Sequence, residues 1–300
     1  MARHTMTARA FFDLVKSSFL AWKEDYASSL GAALAFYTIF SIAPLLIIVI
    51  AVAGSVWGED AVRGEIIRQL GGLVGPEGAS GIQSLIKSAD KPAQGFFATL
   101  VSVVILAVGA TRVFAELQSA LDRIWQVPSK QKRAGLWALF RARLLSFGLV
   151  LGLGFLLLVS LVASALLAVL GQWSSAFFPG WEAVLQIANA AFSLTMTVVL
   201  FAAIYKFMPQ ATIAWRDVWI GAAVTALLFE IGKAGIGLYL GKSSTVSSLT
   251  ATGSLIVVLI WVYYAAQVFL LGAEFTWCYA NRYGSRSHAP ASRPVDPALS

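Results

Sequence analysis

Charge is scarce in this sequence. Of 300 residues, 12% are Asp, Glu, Lys or Arg, about half the share in soluble globular domains. Histidine and cysteine are scarcer still. The single cysteine, Cys278, excludes an internal disulfide. The two histidines, His4 and His288, lie in opposite polar tails, so no His is available to a buried metal or catalytic centre. The aspartates (Asp13, Asp25, Asp60, Asp90, Asp122, Asp217 and Asp296) are scattered, and no HExxH, GxSxG or CxxC occurs. A hydrolase with a buried metal is hard to assemble from these residues. The chain is expected not to be an enzyme and to carry no cofactor. Gly241-Lys242-Ser243 looks like the end of a phosphate-binding loop, but that motif needs a glycine where Ile236 stands.

What is abundant is apolar length. The chain is 58% hydrophobic, with a mean hydropathy of +0.77. Six runs reach the ~20 residues that a bilayer core requires: 30–54, 95–118, 144–170, 183–205, 218–240 and 254–278. They predict an all-α polytopic membrane protein of six transmembrane helices. Its expected parts are an amphipathic segment 1–29, a membrane domain 30–279, and a Pro/Ser/Arg-rich tail 280–300 that is expected to be disordered. Ala51-Val52-Ala53 mimics a signal-peptidase site, but the run is too long and starts too late for a secretory signal, so it reads as a retained span. In the segment 55–94, residues 61–73 and 81–88 read as two short amphipathic helices broken at Gly75-Pro76. Trp173, Phe177, Phe178 and Trp181 form an aromatic belt, as at a membrane interface.

Lys and Arg set the orientation. Sixteen lie in the N-terminal segment, 112–143, the 206–216 turn and the tail. Five (Arg63, Arg68, Lys87, Lys91 and Lys242) lie on the other side. The positive-inside rule then places both termini in the cytoplasm. Anionic lipid headgroups are the expected partners of the excess charge, and nucleic acid is not needed to explain it. In the N-terminal segment, Phe11, Phe12, Val15, Phe19 and Trp22 recur at helical spacing. Two readings are open: a basic helix on the membrane surface, or a lead-in helix packed on the bundle.

A few residues inside the spans invite chemistry. Pro44 has no N–H for the carbonyl of Phe40 and is expected to kink the first helix. Gly148, Gly152 and Gly154 allow close helix approach. Glu230 and Lys233 are three apart, hence about 60° apart around one helix. They either neutralise each other or line a polar cavity on a substrate or proton path. Gln267 has a similar depth in the last span and is a candidate for the same path. Arg112 and Glu116 can pair at i, i+4, and Glu274 is a further candidate partner of Arg112. The polar loop 241–253 either folds back into the bundle or lies exposed.

Four stretches together resemble the YihY/BrkB family of bacterial inner-membrane proteins. They are ALAFYTIFSIAPLLIIVIAVAG near the first span, GATRVFAELQSALDRIWQV (109–127), YKFMPQATIAWRDVWIGAAVTALLFEIGKAGIGLYL (205–240) and GSLIVVLIWVYYAAQVFLLGAEFTW (253–277). The resemblance covers most of residues 15–281. It implies a six-span helical protein of the bacterial cytoplasmic (inner) membrane. The family has been labelled a ribonuclease and a serum-resistance virulence factor, and it supplies no catalytic residues to carry over. Where the family pattern has aromatic residues in the loop after its fifth span, this chain has SSTVSSLTATGS. Three functions follow for comparison: a transporter or lipid-handling protein with a polar cleft at spans five and six, a non-transporting scaffold or envelope-assembly factor, and a nuclease, which the missing His and carboxylate clusters disfavour.

The orientation is directly testable. A cysteine introduced at Ser80 is expected to react with a membrane-impermeant thiol reagent in cells with a permeabilised outer membrane. Reaction of a cysteine at Lys130 under the same conditions would reverse the topology.

Overall fold

The computed structural model describes residues 8–89, 112–128, 181–242 and 251–287. Among these residues all regular structure is helical. The helices are α1 (Ala8–Glu24), α2 (Ala27–Trp57), α3 (Glu59–Ala89), α4 (Trp181–Phe207), α5 (Trp215–Lys242) and α6 (Ala251–Arg282). Residues 112–124 add a further helical segment. Among the described residues three stretches are long and apolar enough to cross a membrane: Val184–Phe207, Trp215–Ile236 and Ile256–Arg282. The apolar runs read from the sequence at 183–205, 218–240 and 254–278 fall on these helices. The run 144–170 with its glycines, most of the run 95–118, the basic residues 129–143 and the loop residues 243–250 lie outside the described residues.

Polar residues inside the long helices satisfy themselves locally. Thr195, Thr197, Thr225 and Thr276 each donate a hydroxyl hydrogen bond to the carbonyl four residues earlier, at 2.6–3.0 Å. Thr38 does the same in α2. A hydroxyl closed onto its own helix needs no partner from lipid, which offers none.

The described residues of 1–25, 121–228 and 271–300 form one compact unit. In it, α5 and α6 run antiparallel at very close range. A Cβ added to Gly221 would lie 1.7 Å from Thr276 Oγ1, and one added to Gly272 would lie 1.8 Å from Thr225 Oγ1. Only glycine lets the facing helix come this near. Tyr205 of α4, fully buried, completes the second contact. Its hydroxyl lies 3.0 Å from Thr225 Oγ1, which already donates to Gly221 O, so Tyr205 is the donor. Leu14 and Ala21 of α1 pack on Phe275, Cys278 and Tyr279 of α6. The 112–124 segment ends in a Schellman turn: Gln126 is left-handed (φ 51), and the N–H groups of Gln126 and Val127 bond Arg123 O and Asp122 O.

The second unit comprises the described residues of 26–120 and 229–270. Here α2 reverses into α3 at Gly58, whose φ of +88° suits a residue without a Cβ. The sequence reading of two short helices over 55–94 differs from the single helical run Glu59–Ala89. That run is nevertheless folded back on itself. A Cβ at Gly71 would lie 3.7 Å from Ala79 Cβ, whereas eight residues of straight helix rise about 12 Å. The reversal brackets Gly75-Pro76, and Ile66, Leu70, Ile82 and Ile86 join one apolar cluster with Ile50 of α2 and Val258 of α6. Helix α2 continues through Pro44; the side chains of residues 43–45 lie outside the described set.

The glycine contacts give the first structural test. Gly272→Ala should lower the thermal midpoint in detergent by an amount equivalent to about 1–3 kcal/mol, the usual cost of overpacking. Gly64→Ala, where nothing lies within 4 Å of the new Cβ, should leave the midpoint unchanged or raise it slightly.

Candidate functional site

Glu230 and Lys233 sit on α5 about 22 and about 27 Å along its axis from Trp215, at 1.5 Å per residue. The helix forms there because the surrounding residues are apolar and small. Three-residue spacing places the two side chains on one face. Lys233 Nζ lies 2.6 Å from Glu230 Oε2. The pair is neither dry nor fully solvated: its side chains are 28% and 31% exposed, respectively. Ile231 beside it is 68% exposed, and Ala234 and Gly235 one turn on are also exposed. The opposite side of the helix is closed, since a Cβ at Gly232 would strike the hydroxyl of Tyr264 in α6. Phe229 meets Trp261 edge-on at 5.8 Å. The pair thus faces outward from a well-packed helix contact. In this geometry the two charges neutralise each other.

The remaining candidates from the sequence take other positions. Gln267 turns to α2, where its Nε2 donates to Ser28 O at 3.3 Å and lies against Gly31. Its Oε1 is buried without a hydrogen-bond partner among the described residues. Equal depth on neighbouring helices therefore did not bring Gln267 to Glu230. Arg112 places its guanidinium over the ring of Tyr37, 5.6 Å from the centroid. Glu116 is half-buried on the same helical segment, and Glu274 is fully buried in α6.

A second polar constellation escaped the sequence reading. It holds the turn between α4 and α5, whose backbone groups have no helical partners. Asp122 Oδ1 accepts the Gln210 N–H at 2.7 Å. Arg286 Nη2 donates to Thr212 O at 2.9 Å while its guanidinium stacks 4.9 Å over the Trp125 ring. Lys206 Nζ donates to Ile213 O and lies over the Trp215 ring. Asp217, with no exposed surface, accepts from both the N–H and the hydroxyl of Ser285, at 3.1 and 2.6 Å. Burial lowers the Arg286 pKa from its ordinary value, and the charge of Asp217 works in the opposite direction. At Gly284 any side chain would press on Asp217 Oδ1. The chain after α6 is therefore fixed through Ser287, although the sequence suggested disorder from residue 280. The one local cue was an acid in the first turn of α5, where the helix dipole favours it. Among the described residues no cluster of three His, Cys, Asp or Glu side chains is placed to hold a metal.

Residues 18–296 match the family described as Virulence factor BrkB. The chain belongs to the BrkB family. Curated relatives include a UPF0761 membrane protein of Ralstonia nicotianae, 29% identical over 252 residues, covering 83% of this chain and 55% of that protein. A UPF0761 membrane protein of Pseudomonas aeruginosa is 27% identical over 251 residues, covering 83% and 58%. One from Alcanivorax borkumensis is 26% identical over 268 residues, covering 89% and 59%. The chain thus spans little more than half the length of these BrkB relatives. No solved structure matches. This BrkB protein is a helical membrane protein, and Glu230, Lys233, Asp217 and Arg286 all fall within the matched residues.

The turn makes a clear prediction. Asp217→Ala removes the acceptor of two hydrogen bonds and should destabilise the protein by about 1–3 kcal/mol, with Ser285→Ala costing about 1. Trypsin should then cut at Arg286 faster in the Asp217→Ala protein than in the native chain; equal cutting rates would show that Asp217 does not hold this segment.

Proposed function

We propose that this BrkB protein is a six-span protein of the bacterial inner membrane, with both termini cytoplasmic, that transports or handles a lipid or a small anionic or polar molecule. It acts without catalysis. The observation that supports this reading is the Glu230–Lys233 pair: two charges within a membrane-spanning helix, only about 30% exposed yet open on one side. Charges at such depth cost several kcal/mol to insert without compensation. A sealed pair would have no space for an incoming group. This one leaves room for a polar group to exchange into it, with an anionic group approaching Lys233.

A second reading, a non-transporting scaffold, draws on the i, i+3 geometry, which satisfies both charges within one helix. The two readings separate experimentally. Lys233→Met alone leaves Glu230 without its counter-charge and should destabilise the protein by roughly 1–3 kcal/mol, between the exposed and buried limits. The double variant Glu230→Gln/Lys233→Met should regain the thermal midpoint but fail to move labelled phospholipid or small anions in proteoliposomes. A double variant that transfers either one as well as the native protein would leave the pair a structural role only.

A further inference from the structure

Helix α1 divides its circumference into sectors, and the division identifies what it rests on. At about 100° per residue, Leu14, Ser18 and Ala21 fall within roughly 60° of one another. All three are buried, and this is the face that packs on the last turns of α6 over Cys278. The next arc, from about 60° to 160° beyond Leu14, carries Phe11, Trp22, Val15, Phe19 and Phe12. Phe12 is 69% exposed, Phe19 55% and Phe11 45%. Phe19 and Trp22 stack at 5.4 Å, so the sector is a formed apolar surface. Beyond it, at about 180–220°, come Lys23, Lys16 and Arg9, all exposed. Leu20, 41% exposed, follows at about 240°, and the last arc is polar and acidic, with Asp13 and Glu24 exposed.

An aromatic sector, a basic strip and an acidic sector in that order match the gradient across a membrane interface: acyl chains, phosphates, water. The position agrees. The face that docks sits on the end of α6, a helix long enough to cross a membrane and ending at Arg282. A nucleic-acid duplex, contacted through its phosphates, would engage the basic strip but leave the exposed aromatic side chains in water. A bilayer surface occupies both.

We propose that α1 is an interfacial anchor: its Phe sector enters the bilayer, Arg9, Lys16 and Lys23 bind anionic headgroups, and this contact holds α1 down over Cys278. The proposal is independent of the role assigned to α5. Cys278 is the single cysteine of the chain and is buried beneath the helix, so it reports the docking without any added label site.

The protein is placed in nanodiscs of phosphatidylcholine alone and of phosphatidylcholine with phosphatidylglycerol, and the rate of maleimide labelling at Cys278 is measured. Labelling should be slower by about fivefold or more with the anionic lipid, the equivalent of one basic side chain's attraction to an anionic surface. High salt should erase that difference by screening. The variant Arg9→Gln/Lys16→Gln/Lys23→Gln should label at the same rate in both nanodiscs. In the native chain, a rate independent of lipid charge overturns the proposal and needs no folded variant to do so. Protection of Cys278 by RNA in the neutral nanodiscs, matching that by anionic lipid, would assign the strip to nucleic acid and also overturn it.

Discussion

The close approach of α5 and α6 through glycine is the contact on which the rest of this chain depends. Helices in lipid gain little from hiding apolar surface, because the solvent is itself apolar. What remains is dense packing and hydrogen bonding. Gly221 against Thr276, and Gly272 against Thr225 and Tyr205, bring backbone to side chain at distances that no other residue permits. The hydroxyls in this seam are already bonded to their own helices or to each other. These hydroxyls therefore enter the seam already satisfied.

The two helices joined this way carry charge in two different manners. At the start of α5, Asp217 meets backbone and hydroxyl donors of the chain that follows α6. Asp122, Lys206 and Arg286 likewise meet backbone groups of the turn before α5. These charges act as caps for a turn that has no regular hydrogen-bonding scheme. Further along α5, the charged atoms of Glu230 and Lys233 meet each other, at 2.6 Å. A charge consumed by backbone is structural. A charge balanced by a neighbouring side chain at the helix surface can be exchanged, and the proposed function rests on that difference.

Helix α1 was legible in outline, since its apolar residues repeat with a helical period. Of the two readings left open by the sequence, packing on the bundle is what is seen on one face, which lies on α6; the adjacent face is exposed and aromatic. The region 55–94 was legible as a break at Gly75-Pro76, because proline and glycine disturb a helix locally. Its assignment as one run with a reversal inside it was not, since this depends on the contact of Gly71 with Ala79. Gln267 shows the limit most clearly. Depth along a helix can be counted from the sequence, but rotation about the axis cannot, and rotation turned Gln267 toward Ser28.

The sequence by itself determined the all-helical character, the long apolar helices and the Glu230–Lys233 pair. Each of these follows from spacing within one stretch of chain: backbone hydrogen bonds in a helix are four residues long, and an ion pair at i, i+3 needs nothing else. Only the tertiary structure decided the glycine seam, the destination of Gln267 and the group around Asp217. Ser285 is 68 residues from Asp217, and Gln210 is 88 from Asp122. No local periodicity links residues so far apart. Their meeting is set by how whole helices rotate and pack, a choice made by the shapes of many side chains at once.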